Sequence, residues 1–235
     1  MTKSALDLTY VLYDASSDLS HVLALLTLTP ILLNPAYAAL VVQTREVVYL
    51  EMWAGQMACE GLNWFLKELI QQERPNLDMG SGYGFPSSHS QWMGYFASFL
   101  LCHFTFRHRF VSTGYRVLDV LFKTALYLSI ITWSCAVAYS RYYLTYHTHM
   151  QVFWGFSIGV LFGFVYYTLI ELVPARYPDS FLGCARSGLL ASPFLTFFRI
   201  RDGWAVWGDG GLDAQYLKWR ETWDVSRSAE ARKRQ

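Results

Sequence analysis

The 235-residue sequence predicts an all-α integral membrane protein, a bundle of about five transmembrane helices, and three observations carry that expectation. Charged residues make up only 16% of the chain, where a soluble domain has about a quarter, and aromatic residues make up 17%. Apolar stretches follow one another, most of them near the roughly 20 residues a helix needs to cross a bilayer. The connections between them are short, with no Ser/Gly linker, low-complexity tract or internal repeat. A net charge of +1 excludes a polyanion-binding surface and hence a nucleic-acid partner, so any anion must be held by a few placed cations. Cys59, Cys102, Cys135 and Cys184 are widely scattered, with no CxxC spacing and no cluster of histidines about them, and read as packing residues.

Residues 22–42 are 21 positions without a charge and form the first span. Pro30, Asn34 and Pro35 predict a kink there, tolerated where neighbouring helices satisfy the freed backbone groups. Asp7, Asp14 and Asp18 precede it in place of a basic n-region, which argues against a cleavable signal peptide. Residues 47–66 have helical length but carry Glu51, Gln56, Glu60 and Asn63, so a hydropathy window scores them poorly. Residues 88–106, 120–139 and 152–170 supply three more spans, the last two free of charge apart from Lys123. Beyond Ile170 the composition changes: ten of the nineteen basic residues are interleaved with Phe194, Phe197, Phe198, Trp204, Trp207, Trp219 and Trp223. That pattern suits a tail in the headgroup layer or one folded over the helix ends.

Three polar clusters sit at span boundaries. Lys67 and Arg74 are seven apart, nearly two helical turns, which places both on one face at the end of the second helix, where Pro75 stops it. Gly80 to His89 (GSGYGFPSSH) leads into the third helix, where Ser87 and Ser88 are hydroxyl caps and the helix start favours an anion. Ser140 to Gln151 joins the fourth and fifth helices. His147 and Gln151 are four apart, so the Gln151 carbonyl oxygen is placed to accept the imidazole Nδ1–H and leave Nε2 bare as a nucleophile. His149 falls roughly 200° round a helix from His147 and reads as structural. Taken singly, each cluster fits an ordinary boundary: snorkelling cations, a capped helix, an interfacial Tyr/His belt. Chain tracing puts all three on one side of the membrane, which makes a phosphate cradle with a nucleophile and an acid.

The string K-x6-RP, then PSxH, then SR-x5-H resembles the three-part signature of the type 2 phosphatidic acid phosphatase (PAP2) superfamily. Glu60-Gly61-x-Asn63-Trp64, Pro86 to Gln91, Tyr139 to Val152 and Arg199 to Asp202 are similar to its dolichyl diphosphate phosphatase branch. The resemblance implies a helical bundle of the PAP2/haloperoxidase type and a metal-independent, cofactor-free double displacement. It implies His147 as the nucleophile forming a phosphohistidine, His89 as the acid, and Lys67, Arg74, Ser87, the Ser88 backbone N–H and Arg141 as the phosphate-binding set. Two residues depart from the family pattern: Ser88 stands where Gly is usual, and Gln151 where an Asp usually orients the nucleophile. The implied substrate is a polyprenyl (dolichyl) diphosphate in the bilayer, cleaved to dolichyl phosphate and phosphate. Alternatives are a broader phosphatase of phosphatidate or a sphingoid phosphate, or a non-catalytic binder of anionic lipid.

Fifteen of the nineteen Lys and Arg fall on the side opposite the motifs, leaving Lys3, Lys67, Arg74 and Arg141. The positive-inside rule then makes the motif side lumenal. The expectation is a multi-pass protein of the endoplasmic reticulum membrane, with residues 1–173 a transmembrane catalytic domain and 174–235 a cytosolic or interfacial tail. Arg232-Lys233-Arg234-Gln235 is like a cytosolic retrieval signal.

Overall fold

A computed structural model describes residues 3–6, 11–76 and 82–233. Asp7, Gly80, Ser81, Arg234 and Gln235 lie outside the described residues. A short antiparallel hairpin, β1 (Lys3–Leu6) and β2 (Val11–Asp14), precedes the helices and departs from the all-helical expectation. It forms because Val11 packs with Ala24, Leu144 and Tyr146, and the Leu12 N–H donates to the Tyr146 hydroxyl at 2.8 Å.

The first span is two helices, α1 (Asp18–Leu26) and α2 (Thr29–Thr44). The expected kink is a full break at Thr27–Leu28, because Pro30 has no N–H to give and sits instead in the first turn of α2. Pro35 continues inside α2, and Asn34 ties that region down: its amide donates to the Pro30 carbonyl at 3.2 Å and its Oδ1 accepts from the Trp53 indole at 3.1 Å.

Next come α3 (Val47–Ile70), α4 (Ser88–Phe106), α5 (Arg116–Tyr143) and α6 (His149–Tyr167). A π-helical turn, Thr168–Leu172, carries α6 into α7 (Val173–Arg176). Among the described residues, three stretches are long and apolar enough to cross a membrane: Asp18–Thr44, Arg116–Tyr143 and His149–Arg176. The 24-residue α3 and 19-residue α4 would rise about 36 and 28 Å, but their polar side chains lower their hydropathy. Those polar groups face each other. Asn63 donates to Gln91 Oε1 at 2.8 Å, Gln91 donates to the Cys59 carbonyl at 3.0 Å, and Gln56 bridges the Tyr37 hydroxyl and the Trp92 carbonyl.

The closest contact in the bundle joins α4 to α6. Gly155, Gly159 and Gly163 recur every four residues along one face of α6, and the α4 backbone lies against them. A Cβ at Gly155 would stand 2.7 Å from the Ser87 carbonyl oxygen and one at Gly163 2.9 Å from that of Tyr95. One at Gly159 would run into the Gln91 carbonyl oxygen, and one at Gly94 of α4 into that of Phe156. Small residues at such spacing let membrane helices approach to backbone contact.

At the far end from the motifs, short helices fold over the bundle: α8 (Phe181–Leu190), α9 (Pro193–Phe197) and α10 (Gly203–Val206). Arg186 pairs with Glu51 (2.9 Å), Glu171 (2.8 Å) and Asp202 (3.0 Å), and Arg107 with Asp202 (3.2 Å) and Glu171 (3.3 Å). Arg201 pairs with Glu46 at 2.6 Å. Of the two readings of the tail, residues 181–206 follow the one folded over helix ends, whereas α11 (Leu212–Lys233) is exposed along residues 212–228.

Gly159→Ala is expected to destabilise the detergent-solubilised protein by about 1–3 kcal/mol, the range for forcing extra atoms into a packed interior. Gly188→Ala, in an exposed turn of α8 with no atom within 4 Å of the new Cβ, is expected to hold or raise the melting temperature. Thermal unfolding of both variants checks the contrast.

Candidate active site

The three boundary clusters meet at one end of the bundle. α3 finishes there at Ile70, with Gln71 in the left-handed region (φ 53) and its N–H closing on the Lys67 carbonyl at 3.0 Å. Lys67 is therefore in the last helical turn, but Arg74 is not on the helix as the seven-residue spacing suggested. The chain leaves α3 before Pro75, whose ring disfavours helical geometry at the preceding residue, and Arg74 reaches back through a loop. Its Nε–H donates to the Gly82 carbonyl at 3.2 Å.

α5 ends at Tyr143, and Thr145 (φ 60) turns the chain so that the Tyr146 and His147 N–H groups both donate to the Arg141 carbonyl, at 3.1 and 3.2 Å. His147 thus precedes α6, in whose first turn Gln151 lies, and the two do not share a helical face. They meet because Thr148 is the N-cap of α6. Its hydroxyl accepts from the Gln151 N–H (3.2 Å), and Gln151 Oε1 accepts from the Thr148 N–H (3.2 Å), a reciprocal capping box that turns the Gln151 amide back toward His147. His149, the first residue of α6, is exposed.

His147 Nδ1 lies 2.9 Å from the Gly84 carbonyl oxygen and 3.3 Å from Gln151 Oε1. Two acceptors on one nitrogen require that Nδ1 carry the proton, which leaves Nε2 with its lone pair. Gly84 is the nearer partner, and nothing in the helical spacing pointed to it. Only the glycine-rich run before Pro86 hinted that the backbone comes close there. A Cβ at Gly84 would stand 2.8 Å from the Gln151 amide nitrogen and 2.9 Å from the Glu73 carbonyl. Gln151 completes the tie by donating from Nε2 to Glu73 O at 3.0 Å, while the Gly84 N–H donates to Gln72 O at 2.7 Å.

Ser87 is the N-cap of α4, but its hydroxyl makes no cap hydrogen bond. It accepts from the Ser90 hydroxyl at 3.0 Å, and its own N–H donates to the Gln151 carbonyl at 3.2 Å. The expected hydroxyl capping by Ser87 does not occur, so the Ser88 end of α4 keeps the positive pole that an anion would meet. His89 follows in the first turn. Its ring lies near the backbone of Thr27, at the break the first span owes to Pro30, and within electrostatic range of Arg141, His147 and Lys67.

Arg141 is buried, and its Nε and Nη1 have no hydrogen-bond partner among the described residues. The guanidinium stacks over the Tyr146 ring, 4.0 Å from its centroid. A buried guanidinium with open donors is costly unless an anion completes it. Tyr146 was not anticipated. Its ring supports Arg141 while its hydroxyl holds β2. Burial, then Arg141, Arg74 and Lys67, push the His147 imidazole far below its ordinary range, to about 3. Among the described residues no three His, Cys, Asp or Glu side chains converge as a metal site.

Residues 46–173, which contain all of these groups, match the model of the PAP2 superfamily. The chain belongs to the PAP2 superfamily. It is 35% identical over 202 residues to dolichyldiphosphatase 1 of Mus musculus, covering 83% of this chain and 80% of that protein. The Homo sapiens dolichyldiphosphatase 1 is 34% identical over the same shares. The dolichyldiphosphatase of Saccharomyces cerevisiae is 35% identical over 175 residues, 71% of this chain and 70% of that one. No solved structure matches the chain.

Neutral His147 is expected to persist in the free protein below about pH 5, well under the usual imidazole midpoint. Arg141→Gln removes a cation that disfavours the imidazolium, so the midpoint should rise. Bound phosphate, an anion beside the ring, should raise it too. Ring-nitrogen NMR titration of His147 in micelles measures all three.

Proposed function

We propose that this chain hydrolyses dolichyl diphosphate to dolichyl phosphate and phosphate, in the manner its relatives' names describe. The observation that carries the reading is the His147 imidazole, held by Gly84 and Gln151 with Nε2 bare, beside the open guanidinium of Arg141. Lys67, Arg74, Arg141, Ser87 and the Ser88 N–H hold the terminal phosphate. Nε2 of His147 attacks its phosphorus and the bond to the bridging oxygen breaks. His89 gives its proton to that oxygen, so dolichyl phosphate leaves and a phosphohistidine remains. Neutral His89 then takes a proton from water, which attacks the same phosphorus, breaks the P–N bond and releases phosphate. Gln151 touches no substrate in this scheme and acts as a positioning residue.

The polyprenyl chain stays among lipid-facing helices, so the diphosphate reaches the pocket without leaving the bilayer. The pocket faces the lumen of the endoplasmic reticulum, where the lipid carrier of protein N-glycosylation is recycled. The excess of Lys and Arg at the other end of the bundle supports this orientation. Residues 1–173 form the catalytic unit and 174–235 the cytosolic tail.

Phosphate release in mixed micelles tests the reading, with dolichyl diphosphate expected to exceed phosphatidate and a sphingoid phosphate. Equal rates would make the chain a broader lipid phosphatase. His147→Ala should lower release by about three orders of magnitude or more, and alkaline quench of wild type should trap phosphate on His147. Binding without release in wild type would make the chain an anionic-lipid binder.

Gln151→Ala should lower kcat with the Gly84 contact still fixing the tautomer. Gln151→Glu puts a carboxylate beside the ring, raises its pKa and moves the acidic limb of kcat/KM to higher pH. A pH–rate profile identical in all three forms would remove Gln151 from the mechanism.

A further inference from the structure

A second amphipathic site lies at the end of the bundle away from His147. An apolar groove of about 730 Å³ runs between α2 and α9, walled by Val41, Val42, Leu50, Phe194, Phe197 and Ile200. Val42, Phe194 and Phe197 are largely exposed, at 77%, 69% and 80%. A more polar cavity of about 550 Å³ adjoins it, lined by Gln43, Thr44, Tyr49 and Gln215 among others. Arg45 and Arg199 belong to both, standing between the apolar and the polar half.

Charge decides what fits. The polar half holds three guanidinium groups, Arg45, Arg199 and Arg201, against the single carboxylate of Glu46. That carboxylate is already committed, to Arg201 at 2.6 Å and to the Gly203 N–H at 2.6 Å. Among the described residues neither Arg45 nor Arg199 has an ion-pair partner. Both also stand in the left-handed backbone region, φ 58 and 56, where glycine or asparagine is the undemanding choice. Two strained positions that carry arginine, adjacent across one cavity wall, favour a role for the cations themselves.

We propose that this groove binds an anionic glycerophospholipid of the membrane leaflet opposite the catalytic pocket. The phosphate sits between Arg45 and Arg199, the polar headgroup meets Gln43, Thr44 and Gln215, and the acyl chains lie along Val42 and the α9 phenylalanines. The more apolar cavity lies at the end of a membrane-crossing helix and the arginines lie at its junction with the second, the order of tails and phosphate in such a molecule. A bound lipid there bridges α2 to the folded tail, beside the point where the Arg201 N–H donates to the Arg45 carbonyl at 2.8 Å.

The test uses full-length protein purified in mild detergent and exposed to phosphatidylinositol, phosphatidylcholine or dolichyl phosphate, with retained lipid read by native mass spectrometry. Wild type should retain phosphatidylinositol over the other two. Arg45→Asn/Arg199→Asn keeps residues suited to left-handed backbone while removing both charges, and should retain about thirtyfold less, the loss of two surface cations. The Arg45→Lys/Arg199→Lys protein should retain it, which separates lost charge from lost fold. Equal retention by wild type and the Asn variant, equal retention of phosphatidylcholine, or preference for dolichyl phosphate would each overturn the proposal. Retention is read without turnover, so the result stands apart from which phosphate ester the catalytic pocket cleaves.

Discussion

The backbone contact between α4 and α6 is the constraint from which the geometry of the pocket follows. His89 sits in the first turn of α4 and His147 two residues before the first helical residue of α6, so their relation is set by how those helices lie against each other. Gly155 receives the Ser87 carbonyl, Gly159 that of Gln91 and Gly163 that of Tyr95. A slip of one residue would rotate α6 by about 100° and present side chains where only hydrogen fits. The Ser87 N–H to Gln151 carbonyl bond at 3.2 Å then joins the two helix starts directly. The polar contacts among Asn63, Gln91 and Cys59, and among Tyr37, Gln56 and Trp92, fix α3 against the same central helix. Where lipid surrounds the bundle, water cannot replace a lost partner, so such contacts discriminate strongly between registers.

The opposite end is built on charge. Glu51 near the start of α3, Glu171 in the π-helical turn, and Asp202 before α10 converge on Arg107 and Arg186. Removing so many ions from water is expensive, and losing one partner would leave the others buried and uncompensated, so the five hold these segments in one mutual arrangement. Glu51 explains why α3 scores poorly as a membrane helix. Its carboxylate is matched by a residue 135 positions later, and no window along α3 can register that.

Much of the pocket was legible because its parts are local: a cation before Pro75, a Pro-Ser-Ser-His helix start, an Arg followed six residues later by His. The apolar stretches placed the long helices within a few residues. What could not be read were loop geometries that depend on contacts distant in sequence. Arg74 looked helical because spacing counts turns and cannot see Gln71 entering the left-handed region. His147 and Gln151 looked like helical neighbours, whereas a capping box and the Gly84 carbonyl bring them together. The break at Thr27 was foreshadowed by Pro30, but its nearness to the His89 ring joins positions more than sixty residues apart. The N-terminal hairpin has only four residues in each strand, too few to declare itself without the Tyr146 loop it packs on.

The two ends use one residue type in opposite ways, and that difference gives a reason for an amide at position 151. Arg107, Arg186 and Arg201 are each matched to carboxylates, whereas Arg141 is stacked on Tyr146 with two nitrogens open. A carboxylate at 151 would lie against the His147 ring and within the field of Arg141, Arg74 and Lys67, cancelling part of the positive potential that the proposed reaction needs to draw a phosphate dianion inward. Gln151 keeps the hydrogen-bond geometry and adds no charge. Orientation is then shared with a neutral backbone carbonyl, Gly84, and in the proposed reaction the imidazolium formed on attack would be held by the phosphate itself. In the proposed reaction the pocket would be most positive when empty and closest to neutral when occupied, which would favour entry of a diphosphate over retention of a monophosphate product.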